Sequence, residues 1–454
     1  MKNRMKALKY TSILAVAVIV TSCGIFKKYE QVEKVPDNLF GSSVAASEFN
    51  GGETRPLPWK SFFTDPLLQE LIDSALVRNL DLSLAGKRVL EAEAILNSAK
   101  LGYLPSLTAS PAYTITSGGS YDIPFTLDWG VQGFGSITNR LRETKALVLQ
   151  ASDEENAVKS RLVASVAEAY FNLQMLDRQY EIINSTEQVW NKLLETQKAL
   201  MQNGRAYSTA VDQMEASLLD VRIQKTDIVR YIEDSQAAIC LMLGMVPGEI
   251  RRNTWGEYSV PESINTGLPA QLLENRPDVR SAGRNVEAAY YVTNQARSAM
   301  FPSLSLSGLL GWTSQGRAVT DPATFIYNAV ASLTQPIFAR GRLKANLEVS
   351  KLRQEEAAQT YTQTVLKAGN DVNRALREIN ASKEKDNLYK RQVEVLTKAF
   401  NATEELMQSG KAIYLEVLIA QKDLLGAKLG EASNLYNGSI GLVNLYVSLG
   451  GGTE

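Results

Sequence analysis

Residues 99–107 read AKLGYLPSL, and residues 296–304 read ARSAMFPSL. The shared Pro-Ser-Leu recurs after 197 positions. A second pair of matching segments lies further along: residues 204–206 read GRA and residues 410–412 read GKA, a shift of 206. Similar segments at a nearly constant offset indicate a tandem duplication, so the chain should build one structural unit twice.

The duplication divides the sequence into a leader, two repeats and a connection. A proline- and glycine-rich stretch between the repeats is typical of a linker. The predicted parts are a signal peptide at 1–22, a lipid-anchored extended segment at 23–60, a first repeat at 61–246, a linker at 247–268 and a second repeat at 269–454.

A stripe of apolar residues at alternating spacings of three and four runs through each repeat in the same phase. Its members in the first repeat are Leu162, Val166, Ala169, Leu173, Leu176, Tyr180, Ile183, Trp190, Leu194 and Met201. Those in the second are Ala368, Val372, Ala375, Ile379, Tyr389, Val393, Leu396, Phe400 and Met407. Such a stripe predicts long coiled-coil helices. Polar residues interrupt it at Glu187, Gln197, Ser382, Asp386 and Thr403, where they can fix register at some loss of stability.

The stripe predicts helices over about 138–201 and about 342–407. Each would be about 100 Å long at ~1.5 Å per residue. Gly204 and Gly410 follow directly and are typical helix stops. A second helical pattern follows each glycine, over about 209–243 and about 415–449. Each repeat should therefore form a long helical hairpin whose tip lies near its glycine.

Four short segments alternate between apolar and polar residues, which predicts strands with one apolar and one polar face. They lie at about 104–116, 125–131, 303–307 and 327–334. Ser117 to Ser120 should join the first pair, and Gln315 to Pro322 the second, giving β-hairpins at about 104–132 and 302–335. No run after the leader is long and apolar enough for a membrane helix, so a spanning part would have to be a closed barrel. Four strands cannot close, since the smallest such barrels have about eight. The strand count therefore predicts an oligomer.

Composition argues against several classes of function. The chain has no histidine, which removes histidine-based catalysis and histidine-ligated metal sites. Its 48 basic and 49 acidic residues nearly cancel, so no nucleic-acid partner is expected. No paired-carboxylate or lysine signature stands out. We expect no enzyme, metal or cofactor.

The leader predicts export and lipid attachment. A basic segment from Lys2 to Lys9 precedes a short apolar run at 13–20, and VTSCG follows at 20–24. This ending is similar to a bacterial lipobox, in which Cys23 would become the acylated first residue. The other cysteine, Cys240, lies among apolar residues and is predicted to be a buried helix residue.

Further segments resemble the TolC-like outer-membrane efflux proteins, in particular their NodT-type lipoprotein branch. The resemblance rests on Trp59 with DPLL at 65–68, Trp129 with Phe134-Gly135, LP at 268–269 with RPDVR at 276–280, and FPS at 301–303 with QPIF at 335–338. It implies a mainly α fold with a membrane β-barrel part: a homotrimer whose four strands per protomer close a 12-stranded barrel and whose hairpins form a periplasmic tunnel. It also implies a periplasmic adaptor and an inner-membrane pump as partners, with the tunnel tightest near the tips. Arg276 and Asp278 in the shared motif are more simply read as parts of a helix start.

The chain departs from the family pattern at three positions that the pattern often makes acidic. The segment 130–133 reads GVQG, Gly283 stands where a glutamate is common, and Ile419 precedes Ala420-Gln421. The family's constriction residue therefore does not transfer. Glu416 and Asp423, seven residues apart on one helix face, are the alternative candidates for a carboxylate ring in the tunnel, or else belong to a solvated outer face.

Adaptor docking is predicted at the tips, with Gly204, Arg205, Gly410 and Lys411 as candidates, because glycine followed by a basic residue is kept at both. A basic side chain there could instead only stabilise the helix dipole. For the whole chain, two alternatives to an efflux duct stay open: a periplasmic coiled-coil lipoprotein without a pore, acting as spacer or adaptor, and the outer-membrane duct of a protein secretion system.

Overall fold

A computed structural model describes residues 28–30, 58–114, 120–131, 135–255, 275–314 and 324–453. Several predicted features lie outside these residues. They are the signal segment 1–22, the lipid site Cys23, the two strand-joining turns at 117–119 and 315–322, Phe134, and most of the linker with Leu268-Pro269.

The described residues form eight helices and five strands. In the first repeat they are α1 (Trp59–Phe62), α2 (Pro66–Arg78), α3 (Leu80–Leu101), β1 (Ser106–Ala109), β2 (Ala112–Thr114), β3 (Ser120–Val131), α4 (Ser136–Gln202) and α5 (Ser208–Met242). In the second they are α6 (Pro277–Ser298), β4 (Ser303–Thr313), β5 (Thr324–Thr334), α7 (Arg342–Gln408) and α8 (Tyr414–Ser448). The four long helices begin and end within two residues of the predicted bounds, so the mainly α fold class with two long hairpins is confirmed.

The chain divides into two compact units, and each draws segments from both repeats. The sheet unit holds Gly86–Glu154 and Arg280–Thr364. The hairpin unit holds Glu155–Val279 and Val365–Glu454, together with the described residues before Gly86 that begin at Pro58. All five strands belong to the sheet unit, and both helical turns after α4 and α7 belong to the hairpin unit.

The five strands form one antiparallel sheet in the order β1-β3-β4-β5, with β2 also paired to β3. Both β1 and β2 lie on β3 in the same register, since Ala109 faces Phe125 and Ala112 faces Asp122. Between them, the Ser110 amide still donates to the Pro124 carbonyl over 3.1 Å. Pro111 has no N–H to offer the ladder, and this explains why the single first strand predicted from sequence is divided in two.

The sheet has one apolar face and one polar face. Across three strands, Ile123 faces Trp312 and Trp312 faces Phe325, while Leu127 faces Gly308 and Gly308 faces Ala329. The other face is mostly polar, as where Asp128 faces Ser307, but it also carries Leu309 on β4 and Ile326 and Val330 on β5. The predicted alternation therefore holds for most of β4 and β5, and one face of the sheet presents a band of apolar side chains.

The core of the hairpin unit consists of two clusters. The first gathers α1 and α2 against α4, α5 and the end of α8, where Phe62 stacks on Tyr446 with ring centroids 4.2 Å apart. Cys240 is buried in this cluster, as predicted. The second lies among all four hairpin helices and includes the predicted stripe residues Trp190, Leu194 and Phe400. The stripe therefore forms the packing seam.

The two repeats attach their closing helix to their opening helix in the same way. The Asn79 side chain, just before α3, donates to the carbonyl of Met242, the last residue of α5 (2.9 Å). The Arg276 guanidinium, just before α6, donates to the carbonyl of Ser448, the last residue of α8 (3.3 Å). These donors lie 197 positions apart and the acceptors 206, so the contact follows the duplication.

Arg276 also forms ion pairs with Asp278 (2.7 Å) and Asp371 (3.3 Å) and is 7% exposed. The Asp278 carboxylate accepts from the Val279 amide at 2.9 Å. Burial disfavours the charged form of each group, but the hydrogen bonds and the opposite charge of the ion-pair partner have the larger combined effect. The pKa of Arg276 is therefore raised and the pKa of Asp278 is lowered. These contacts support the architectural interpretation of the motif.

Among the described helices, none combines the length and apolar character needed to cross a membrane.

Candidate functional site at the hairpin tips

Both hairpin tips have the same backbone geometry. Gly204 and Gly410 have φ values of +71° and +73°, in the left-handed region. After each glycine the next amide reaches back into the helix: Arg205 to the Leu200 carbonyl (2.9 Å) and Lys411 to the Leu406 carbonyl (2.8 Å). This is the Schellman arrangement that ends a helix at a glycine. It explains the glycines completely, and it uses only the backbone of the basic residues.

The Arg205 and Lys411 side chains form no ion pair with another described residue. Both residues are exposed. The position they occupy usually places an apolar side chain against the preceding helical turn. A basic residue at both tips therefore departs from the local preference, which leaves the helix dipole or a partner as its reason.

The two tips lie beside each other. The Tyr414 hydroxyl at the start of α8 donates to the Gln213 side chain on α5 over 2.7 Å. Beneath this bond, Met214 and Val417 are fully buried in the shared core of the four helices. A partner that contacts one tip can consequently contact both.

Each tip also exposes a large apolar side chain, which lies within the predicted docking segments 203–207 and 409–414 but was not singled out from the sequence. Tyr207 is 85% exposed and Ile413 is 59% exposed. They occupy the cap positions before α5 and α8, and neither side chain caps its helix. Serine, threonine, asparagine and aspartate are preferred there. In the sequence, a large apolar residue at the position where a helix-capping residue is expected could have identified both side chains.

Glu416 and Asp423 lie on the same exposed face of α8, as their spacing predicted. Ile419, which stands where the family pattern is often acidic, lies between them and is 50% exposed. Neither carboxylate forms an ion pair with another described residue. Ala210, at the position of α5 equivalent to Glu416, is buried, so the acidic face belongs to the second hairpin alone.

Two of the five polar interruptions of the stripe, one in each hairpin, join the two helices of their hairpin. In the first hairpin, the Glu187 carboxylate on α4 accepts from Lys225 (2.8 Å) and Arg222 (2.9 Å) on α5. These hydrogen bonds, that from Lys225 foremost, lower the pKa of Glu187. In the second hairpin, Ser382 and Asn434 bind each other's backbone carbonyls, at 2.9 and 3.0 Å.

The described residues contain no group of three or more His, Cys, Asp or Glu placed to hold a metal ion. The lining of a cavity of about 650 Å³ in the hairpin unit includes the carboxylates of Asp177, Glu181 and Glu431. Asp177 is paired with Arg252 (2.7 Å) and Glu181 with Arg178 (3.1 Å). Arginine side chains therefore engage two of the three carboxylates that line this cavity.

The sequence and the fold of this chain are both similar to those of known outer-membrane efflux proteins. The sequence model of the family described as outer membrane efflux protein matches residues 71–245 and 268–451. The probable outer membrane lipoprotein SilC of Salmonella typhimurium is 25% identical over 460 residues, covering 99% of each chain. The cation efflux system protein CusC of Escherichia coli K12 is 26% identical over 451 residues, covering 96% of this chain and 98% of CusC. The solved outer-membrane channel OprN is 23% identical with a TM-score of 0.84, covering 95% of this chain and all of that one.

Proposed function

Because this chain belongs to the outer membrane efflux protein family, we propose that it forms the passive exit duct of a tripartite efflux pump in the outer membrane. The duct receives small molecules from an inner-membrane pump and a periplasmic adaptor, and it performs no catalysis. The family assignment favours this function over a spacer without a pore and over a protein secretion duct.

The observation that carries the proposal is the two-faced sheet. Among the described strands, β5 pairs only with β4, and β1 and β2 pair only with β3, so one edge on each side has no partner. An open edge cannot lie in lipid, because its backbone groups would stay unsatisfied. Copies of the chain can satisfy each other's edges. With β1 and β2 occupying one strand position, three copies supply twelve positions and form the homotrimeric barrel.

The test measures stoichiometry and conductance on the same sample of detergent-purified protein. Native mass spectrometry should give a trimer, and planar bilayers should show discrete conductance steps. A stable monomer, or a trimer that conducts nothing, would refute the duct.

Two neighbouring residues of β5 provide matched variants. Ala329→Arg places a charge on the apolar face and should lower the yield of membrane-inserted trimer, since arginine facing lipid costs ~2–4 kcal/mol at mid-depth. Asn328→Arg, on the polar face, should insert normally and change only ion selectivity. The opposite result would show that the polar face meets the lipid.

The lipid anchor is the second part of the proposal, and it rests on the sequence before Gly24. Cys23 carries acyl chains, while the barrel holds the protein in the membrane independently. Cys23→Ser should therefore abolish incorporation of labelled palmitate and lower the yield of mature protein, yet leave the assembled trimers embedded in the membrane. Palmitate labelling of the Cys23→Ser variant would disprove this attachment site.

The third part concerns selectivity near the tips. In a trimer, Glu416 and Asp423 would each repeat as a ring of three carboxylates, and such rings favour cations. Their exposure on one helix face without ion pairs supports this role. Glu416→Gln and Asp423→Asn should each reduce cation selectivity and block by multivalent cations. If both variants match the parent channel in both measurements, these residues face outward.

A further inference from the structure

The segment that joins β5 to α7 carries an unusual surface, here called the junction surface: Ile337, Phe338, Arg340, Arg342 and Lys344. All five residues are exposed. Ile337 is 96% exposed and Phe338 is 85% exposed, the highest values among the large apolar residues of the sheet unit. Three basic residues follow within seven positions. None of the three forms an ion pair with a described residue.

Local structure does not account for the charges. Arg342 and Lys344 lie in the first turn of α7, which contains no acidic residue. Positive charge at a helix N-terminus is unfavourable, because the helix dipole is positive there. Arg340 has φ of +50°, in the left-handed region that a residue with a Cβ rarely adopts. Three basic side chains are thus kept where the backbone disfavours them.

Basic residues are concentrated wherever strands meet helices in this chain. The four connecting stretches 98–105, 135–145, 295–302 and 335–345 contain eight Lys or Arg and only one acidic residue, Glu143. The whole chain is balanced, with 48 basic and 49 acidic residues. Glu143 is itself neutralised by Arg140 (3.2 Å) and bonded by Gln295 (2.6 Å). The positive charge is therefore local to these junctions.

The junction surface follows the apolar face of the sheet along the chain. Leu333, the last member of that face on β5, is 72% exposed and lies four residues before Ile337. In an outer-membrane protein whose helices extend into the periplasm, the strand-to-helix junction lies at the periplasmic leaflet. Apolar side chains beside a row of cations match the acyl chain and the phosphate of a lipid at this depth.

We propose that the junction surface binds anionic phospholipid of the periplasmic leaflet, with Ile337 and Phe338 among the upper acyl chains and Arg340, Arg342 and Lys344 on the headgroup phosphates. This contact would fix the depth of the barrel in the membrane. It rests on the outer-membrane location of the protein and is independent of whether the duct conducts.

The test is lipid retention by the full-length trimer in an equimolar mixture of phosphatidylglycerol and phosphatidylcholine, read by native mass spectrometry. A basic residue near an anionic surface contributes roughly a fivefold preference, the equivalent of ~1 kcal/mol. The parent should retain at least that excess of phosphatidylglycerol, and the excess should fall in high salt. The triple variant Arg340→Gln, Arg342→Gln, Lys344→Gln should lose most of that excess.

A control triple variant, Lys351→Gln, Arg353→Gln, Lys367→Gln, removes the same charge from exposed sites further along α7 and should behave as the parent. Conductance is recorded for each protein, so that failure of the duct is distinguished from failure of the lipid contact. No preference in the parent, or an unchanged preference in the first triple variant, would overturn the proposal.

A second measurement covers the case in which the charge variants do not fold, and it separates lipid from protein as the occupant. A photo-crosslinking benzoylphenylalanine replaces Phe338 in otherwise unchanged protein. Illumination in membranes should add the mass of one phospholipid to the protomer. Crosslinking only to a second protomer would show that this surface is a subunit contact and would overturn the proposal.

Discussion

Glycines with positive φ end all four long helices of the two hairpins, but their surroundings differ. At the tips, a Cβ added to Gly204 or Gly410 would meet nothing within 4 Å. At the opposite ends, a Cβ on Gly244 (φ +63°) would lie 2.8 Å from the Arg78 carbonyl oxygen, and one on Gly450 (φ +90°) would lie 3.3 Å from the backbone of Asn275. Glycine is required at the tips by backbone conformation alone, and at the other ends also by close approach.

The first prediction follows from this contrast. Gly204→Ala should lower the free energy of unfolding by about 1–2 kcal/mol, the cost of a left-handed alanine. Gly244→Ala should lower it by roughly a further 1–3 kcal/mol, because the methyl group must displace backbone. Thermal unfolding of the purified trimers, followed by circular dichroism, measures both. Equal losses would mean that the chain before α3 moves aside without cost.

The second prediction concerns pH and Glu187. Its pKa is lowered in the folded protein by Lys225 and Arg222. A lowered carboxyl pKa contributes stability above the ordinary glutamate value, and this contribution is lost as pH falls through the lowered folded value. The stability difference between the parent and Glu187→Gln should therefore be full at neutral pH and shrink below about pH 4.3.

The control for this pH dependence is Glu181→Gln on the same helix, whose partner Arg178 leaves both side chains 57% exposed. An exposed pair of this kind contributes little, so its difference from the parent should stay small at every pH. The comparison uses urea unfolding at a series of pH values. A Glu187→Gln difference that is constant from neutral to acid pH would contradict the role assigned to the three-residue contact.

The residues at the tips illustrate how far sequence reasoning reaches. The helix-ending role of Gly204 and Gly410 was predictable, because glycine after a long helical pattern has a known backbone cause. The contact between Tyr414 and Gln213 was not, since the partners are 201 positions apart and their meeting depends on how the two hairpins pack. The partners of Glu187 were likewise hidden, although its place in the stripe was visible.

At the scale of elements, α7 and α8 pack closely because small residues of α8 face α7. A Cβ added to Gly438 would lie 2.6 Å from the Ser382 hydroxyl, which is bonded to the Asn434 carbonyl. The equivalent position of α5 is Ile232, a large residue. The two hairpins thus share a length and a topology but not a packing surface.

The third prediction compares two glycines of α8 whose replacement by alanine should change stability in opposite directions. Gly426 is exposed and would meet nothing within 4 Å, so Gly426→Ala should stabilise the helix by up to ~1 kcal/mol. Gly438→Ala gains the same propensity but crowds the bonded Ser382 hydroxyl, so it should be net destabilising. Denaturant midpoints with unchanged slopes compare the two. A stabilising Gly438→Ala would show that the Ser382 side chain relocates freely.

The elements differ in how well periodicity specifies them. The long helices were predicted closely because their stripe repeats over nine turns or more, and each tip has a glycine stop. The strands are longer than the segments predicted at 125–131 and 303–307, since β3 begins at Ser120 and β4 extends to Thr313. Glycines and prolines within them, such as Pro124 opposite Gly311, obscure the apolar pattern while the ladder continues.

At the scale of the whole molecule, the duplication places equivalent residues at equivalent points of two adjacent hairpins. In a trimer, the two tips become six, and the basic residues Arg205 and Lys411 alternate around one end of the tunnel. A ring of six exposed cations has a clear use if a partner of opposite charge docks there, and adaptor docking is the event that a periplasmic tunnel end requires. The sequence could suggest this ring only through the repeated Gly-basic-Ala motif, since no single tip contains it.

The last prediction distinguishes docking from helix stabilisation. A basic residue just after a helix contributes about 0.3–1 kcal/mol at an exposed site, which is too little to unfold a trimer when it is lost. Like charges opposed across an interface cost several kcal/mol. Arg205→Glu with Lys411→Glu should therefore leave expression, trimer and barrel intact, while abolishing efflux-dependent resistance of cells and crosslinking to the adaptor.

The matched control for this pair is Arg161→Glu with Lys367→Glu. These residues are exposed, lie 206 positions apart like the tip pair, and precede it by 44 residues in each repeat, about 66 Å along the helix at ~1.5 Å per residue. The control makes the same change of charge away from the tips and should retain resistance. If the tip variant also retains full resistance, Arg205 and Lys411 serve only their helices. If both variants lose resistance, the effect arises from the net charge of the tunnel, and the docking role of the tips is rejected.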